Sequence, residues 1–366
     1  METTPQQPIS PSLEDNLNRI KDTFSDCKDL AILPWSYGPN LESKAFSVYF
    51  FTLVQEKHMN YLKTSLQDLV MHEFGPATTV TLEDIVQFFS LNGVSSQSVV
   101  LLNDFEQAVH KVLNGHAVIF FDGWEQAISY AAKSIEARQV AEAINEATVQ
   151  GPREGTVESL DKNIGMLRAR IKSPDFKIEW FTAGKECKTD IMYGYMKNAV
   201  NPATLQEFQM RIDQIDKSIE ITDPSYIEAL IEDSTYSPFP QYRHTERTDT
   251  AATALMEGKI IVMAQGSPTI LICPGLFVEF LMTSEDYYQR TIYASMIRLI
   301  RVVSFFISTM LPSIYIAFTT FHPLNPAILR QIDSYRLHKS PFGYFELVQQ
   351  QAISISRAEK KALADK

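Results

Sequence analysis

LNGHAVIFFDG, residues 113–123, and MEGKIIVMAQG, residues 256–266, decide how this chain is read. In each, a helical pattern ends at a glycine, four apolar residues follow with strand composition, and a second glycine stands eight positions after the first. Glycine after a helix supplies the left-handed turn that lets the chain leave it. Two such units in one chain predict two copies of a single α/β subdomain. Strands this uniformly apolar are covered on both faces, which points to a mixed or parallel sheet with helices packed against it.

Working outward from the first unit, Leu13, Leu17 and Ile20 fall on one helical face, AFSVYFFTLV from Ala45 reads as a strand, and a helix is expected from Glu56 to His72. Thr81 is placed to cap TLEDIVQFFS, and a further helix runs from Asn103 to Leu113. Around the second unit the order returns. Asp190 to Val200 reads as a strand, Pro202 opens a helix, and Thr222 or Asp223 caps PSYIEALIED. Between the copies, AISYAA fits a strand or a helix, and Ser134 to Ala147 has helical composition. After the break GPREGT, the apolar face Leu160, Ile164, Leu167 and Ile171 lies opposite Arg168, Arg170 and Lys172, as in a helix tethering two subdomains. The expected layout is an N-terminus over 1–29, a first subdomain over 30–123, a linker and tethering helix over 124–175, and a second subdomain over 176–284.

The run VVSFFISTMLPSIYIAFTTF, residues 302–321, holds no charged side chain. Twenty helical residues rise about 30 Å, the thickness of a bilayer's hydrocarbon core. We read it as a transmembrane helix, with a buried core helix as the other reading. Arg298 and Arg301 sit one turn before it, where they can snorkel. Ser304, Ser308 and Tyr315 form a more polar stripe that fits a pore lining or a helix contact, or else hydroxyls bonded back to their own helix. Residues 285–301 fit a helix lying at the membrane surface or an ordinary amphipathic helix, and 322–366 form a polar tail. The first residues carry neither the basic nor the apolar part of a cleaved signal, which places the region before the span in the cytoplasm.

A net charge of −11 argues against nucleic acid as a partner. Three scattered cysteines fit a reducing compartment and neither a disulfide framework nor a zinc site. Phosphate-binding and dinucleotide loops, nucleophile elbows and zinc-helix motifs are absent from the sequence. Gly266-Ser267-Pro268 is the nearest approach to a nucleophile turn, yet a proline after the serine disfavours the helix an elbow needs, so it reads as a turn between strands. YRHTERTD, residues 242–249, reads as a charged surface loop, with anion binding or subunit pairing as the other reading. No catalytic residue, cofactor site or metal site is expected.

Three blocks, GPREGTVESLDKNIGMLRARIK at 151–172, DPSYIEALIEDSTYSPFPQYRHTER at 223–247 and GSPTILICPGLFVEFLMTSEDYYQR at 266–290, resemble the A subunits of the GerA family of spore germinant receptors. The resemblance implies two cytoplasmic α/β subdomains ahead of a membrane region, in a nutrient-sensing complex of the spore inner membrane. It also implies a homo-oligomer, partner B and C subunits, a role in ion release and no enzymatic activity. Arg153 and Glu154 fall in the family's GPRE block, Ser237, Pro238, Phe239 and Pro240 in SPFP, and Glu246 and Arg247 in TER. The resemblance makes these expected subunit contacts. After FHP at 321–323 the likeness stops, because 324–366 are polar where the family continues with apolar helices. Conduction by this chain alone is therefore not expected. A membrane-tethered ligand-binding or assembly module is the alternative.

Overall fold

The computed structural model describes residues 7–37, 43–54, 99–131, 146, 152, 154–216, 218–221, 223–233, 236, 240–283, 286 and 288–321. The helices expected at Glu56–His72, after Thr81 and at Ser134–Ala147 lie outside these residues, as does the tail from 322.

The first copy runs α1 (Leu13–Thr23), β1 (Leu30–Tyr37), β2 (Ser43–Phe50), β3 (Val99–Leu102), α2 (Phe105–Leu113), β4 (His116–Phe121) and β5 (Ala127–Ala131). The second runs α3 (Leu160–Arg170), β6 (Phe176–Ala183), β7 (Thr189–Met196), α4 (Pro202–Gln214), α5 (Pro224–Ile231), β8 (Arg243–Thr245), α6 (Thr248–Met256), β9 (Ile260–Ala264) and β10 (Ile270–Cys273). The strand orders are β1-β2-β4-β5-β3 and β6-β7-β9-β10-β8, so each strand has its counterpart at the same place in the other sheet. AISYAA resolves as strand β5, which carries the first sheet past position 123. Helix α3, expected to be a helix tethering two subdomains, is the second copy's counterpart of α1 and packs in that copy's own core.

Every pairing in both sheets is antiparallel, which corrects the expectation of mixed or parallel strands. The apolar runs have a different cause. Along β9, Ile260, Val262 and Ala264 enter one core with Phe208 and Ile212 of α4 and Ile227 and Ile231 of α5. Ile261 and Met263 enter the other, with Leu160, Ile164 and Leu167 of α3 and Ala251 and Leu255 of α6. With helices on both faces, successive side chains are buried in turn whatever the strand direction.

Matching hydrogen bonds run through both copies. Gly123 N donates to Pro11 O and Gly266 N to Glu158 O, each at 2.9 Å, so the glycine ending the strand is pinned to the chain entering the first helix. Both glycines have positive φ, +80° and +90°, with open space where a Cβ would point; the backbone conformation, not crowding, selects glycine there. Buried Asn16 donates to Ser10 O at 2.6 Å and accepts from Ser10 N at 3.1 Å. Buried Asn163 does the same to Val157, at 2.6 and 2.8 Å. A motif Ser-Leu-x-x-Asn, at 12–16 and 159–163, encodes this clamp.

The copies are joined through a buried charge. Arg168 of α3 donates from Nε and Nη2 to Asp29 of the first copy at 2.8 and 2.7 Å, with both side chains fully covered. Its guanidinium also lies over the rings of Phe50 and Phe176, 4.4 and 4.6 Å from their centroids. Burial works to lower the Arg168 pKa, but Asp29 more than offsets this and holds the cation above its ordinary value. Beside it, Lys28 N donates to Ile178 O and Ile178 N to Asp26 O, at 3.3 and 3.2 Å. Arg168, expected opposite the apolar face of α3, is buried against the first copy, while Arg170 stays half-exposed and Lys172 exposed.

A separate unit from Arg290 onward contains α7, Thr291–Phe321. It is one uninterrupted helix, so the expected boundary at 301 between an interfacial helix and a span is not a structural break. Among the described residues it is the one helix long and apolar enough to cross a membrane. Its large apolar side chains, Ile292, Leu299, Ile307 and Leu311 among them, are exposed, which a buried core helix would not show.

Candidate functional site

The sequence blocks GPRE and TER, far apart in the chain, meet in the fold. Gly155 pairs with Arg247 as an antiparallel bridge, and Thr156 N and Oγ1 donate to Glu246 O at 2.8 and 3.0 Å. Arg247 is the N-cap of α6 and is buried. From there it donates to Pro152 O at 2.9 Å and to both carboxylate oxygens of Asp249, at 3.0 and 2.7 Å. Tyr288, three residues before α7 begins, donates its hydroxyl to Asp249 Oδ2 at 2.5 Å. One carboxylate therefore holds the clasp and the segment that leads to the apolar helix.

The electrostatics are coherent. Burial works to raise the Asp249 pKa, but the hydrogen bonds from Arg247 and Tyr288 outweigh it and hold the carboxyl below its usual range. Burial works to lower the Arg247 pKa, and Asp249 reverses that too. The Tyr288 phenol is pushed up, by burial first and by donating to a carboxylate second.

The expected contact residues divide as follows. Glu154 is exposed and binds Arg170 at 2.8 Å, while Arg170 reaches Thr248 Oγ1 at 3.3 Å. Glu246 is half-buried and Pro240 exposed. Arg153, Ser237, Pro238 and Phe239 lie outside the described residues. YRHTERTD is no exposed loop: it holds β8 and the buried Arg247, and only His244 stands out, 2.7 Å from Glu228. In α7, Arg298, Arg301 and Tyr315 are half-exposed and Ser304 exposed, while Ser308 donates to Phe305 O at 2.9 Å, the helix-internal bond foreseen for this stripe. Asp249 carries no expectation from the sequence, although the acid two residues after TER is a signal for a paired arginine; Tyr288, with Tyr287 and Tyr293, reads there as a headgroup anchor ahead of the apolar run, and in the fold its hydroxyl goes to Asp249 instead.

Other places carry less. Ser267 is buried and donates to Asp223 at 2.6 Å, inside the β9–β10 turn. Asp223 caps α5, accepting from Ser225 N at 2.8 Å. An open groove of about 560 Å³ beside α4 and α5 includes Arg211, whose charge is met by Glu207 and Asp233 at 2.6 and 2.5 Å. No group of three or more metal-ligating side chains occurs among the described residues.

The model of the Bacillus/Clostridium GerA spore germination protein family matches residues 18–338. Spore germination protein KA of Bacillus subtilis is 34% identical over 86% of this chain and 56% of its own length. A Bacillus subtilis protein described as the uncharacterized membrane protein YfkQ is 32% identical over 88% of this chain and 61% of its own. The chain thus spans about six-tenths of the length of these relatives. The crystal structure of the N-terminal domain of the A subunit of the Bacillus megaterium spore germinant receptor GerK3 superposes with a TM-score of 0.56 at 25% identity, covering 75% of this chain and 98% of that one.

Proposed function

The chain belongs to the GerA family of spore germination proteins, and on that premise we propose that it is the A-type subunit of a nutrient-sensing receptor, anchored in the spore inner membrane with residues before Thr291 in the cytoplasm. It acts there as a non-enzymatic relay in an oligomer with B and C subunits, passing assembly state to ion release. The observation that carries this reading is the Arg247–Asp249–Tyr288 link, because it ties the clasp between residues 152–156 and 246–249 to the chain entering the apolar helix. Glu154, Pro240 and Glu246 offer the accessible part of that region for subunit contacts, and Ser304 and Tyr315 the polar side of α7. A second reading is a membrane-tethered ligand-binding or assembly module that does not conduct.

Cation release separates the two. The relay reading expects spores whose sole A subunit is this chain, with cognate B and C subunits, to release cations on nutrient addition. The non-conducting reading expects release only after a family membrane region is grafted after Phe321. Normal release from the ungrafted chain contradicts the non-conducting reading, and its absence contradicts the relay.

A further inference from the structure

The chain between β10 and α7 contains a short 3-10 helix, Phe277–Leu281, whose polarity is inverted. Its one charged residue, Glu279, turns inward to an ion pair with Lys259, the two side chains 14% and 10% exposed. Lys259 also donates to Pro274 O at 2.9 Å, which fixes the turn from below. The apolar residues turn outward instead: Leu276, Phe277, Val278 and Phe280 are 57, 42, 48 and 42% exposed. A surface helix in a water-facing position places charge outside and apolar groups inside. This one is built for an apolar medium.

We propose that Leu276–Phe280 is a membrane-docking patch, seated in the headgroup and acyl boundary of the bilayer that α7 crosses. The covalent connection selects this occupant. Nine residues lie between Leu281 and Thr291, and the ten Cα steps span at most about 35 Å, so an α7 inserted in the bilayer keeps the patch within reach of the lipid surface. Side chains with an apolar body at that boundary bind by burying their exposed area, without need of a protein pocket. Seating it would hold the second subdomain against the membrane through the Lys259–Glu279 pair.

The inference rests on reading α7 as a membrane span, and its test keeps the two apart. The full chain carrying Cys187→Ser and Val278→Cys is labelled with an environment-sensitive fluorophore; Cys27 and Cys273 are buried and stay unlabelled. A control carries the label through Met210→Cys on exposed α4. Both are reconstituted in phosphatidylethanolamine and phosphatidylglycerol vesicles, and carbonate-resistant flotation first checks insertion of α7. With insertion established, nitroxide on the lipid chains is expected to quench the label at 278 several-fold more than at 210, while iodide in the buffer quenches it less. Strong iodide quenching at 278 overturns the proposal, since the patch then faces water. Protection from both quenchers overturns it as well, since a protein surface then covers it.

Discussion

Positions 104 and 247 occupy the same place in the two copies. Each precedes the helix that leads to the third strand of its sheet, and each forms an isolated antiparallel bridge to the chain ahead of the first helix, Pro8 with Asp104 and Gly155 with Arg247. In the first copy the residue is an acid that accepts a hydrogen bond from Gln7 N at 2.9 Å, and the arrangement ends there. In the second it is a buried arginine, which requires Asp249, and Asp249 in turn holds Tyr288. The scaffold is shared; the second copy alone uses this position to hold the segment before α7. A duplicated fold can thus keep one copy as support while the other acquires a connection to the next unit of the chain.

The largest expected effect breaks this comparison directly. Arg247→Ala leaves Asp249 buried without its partner and is expected to cost about 3–5 kcal/mol, against about 1 kcal/mol for Asp104→Ala. Denaturant unfolding of the two variants checks the difference; equal losses would remove the asymmetry. The Asp249 pKa is depressed in the folded chain, so its contribution is fully present above the ordinary carboxylate value near 4 and disappears as pH falls through the folded value. The stability gap between the natural chain and Asp249→Asn is therefore expected to stay constant above about pH 5 and to close below about pH 4.

What the copies share gives the next test. Asn16→Ala and Asn163→Ala each remove two hydrogen bonds from one buried clamp and are expected to cost about 2–3 kcal/mol apiece. Losses that differ by more than about 1 kcal/mol would show that the clamps are not equivalent. These asparagines also mark how far the sequence could be read. The glycine-strand-glycine units show in the sequence because glycine conformation and apolar runs are local signals, and the apolar helix over 302–321 shows for the same reason. Strand direction is not local: β9 is apolar because helices cover both its faces, and a parallel strand would look the same. Arg168 falls where a solvated residue would, since nothing within α3 records that Asp29 lies across from it. Gly165 carries the missing hint. A Cβ there would stand 2.4 Å from Thr52 O, and glycine within a helix is costly unless another backbone comes that close. At the candidate site, the family blocks and the local Arg247–Asp249 pair are legible as sequence, but the hydrogen bond from Tyr288 to Asp249 depends on a fold that returns the chain to α6 after β10.

Tyr288→Phe gives the smallest expected loss, about 1 kcal/mol, because the tyrosine is partly exposed. It is also the variant that tests most directly whether the second copy holds the entry to α7. In the full chain reconstituted in vesicles, amide hydrogen exchange over residues 281–290 is expected to speed up about fivefold in Tyr288→Phe, with β1–β5 unchanged and with no change in that segment for Asp104→Ala. Exchange over 281–290 that is the same in Tyr288→Phe as in the natural chain would contradict the account.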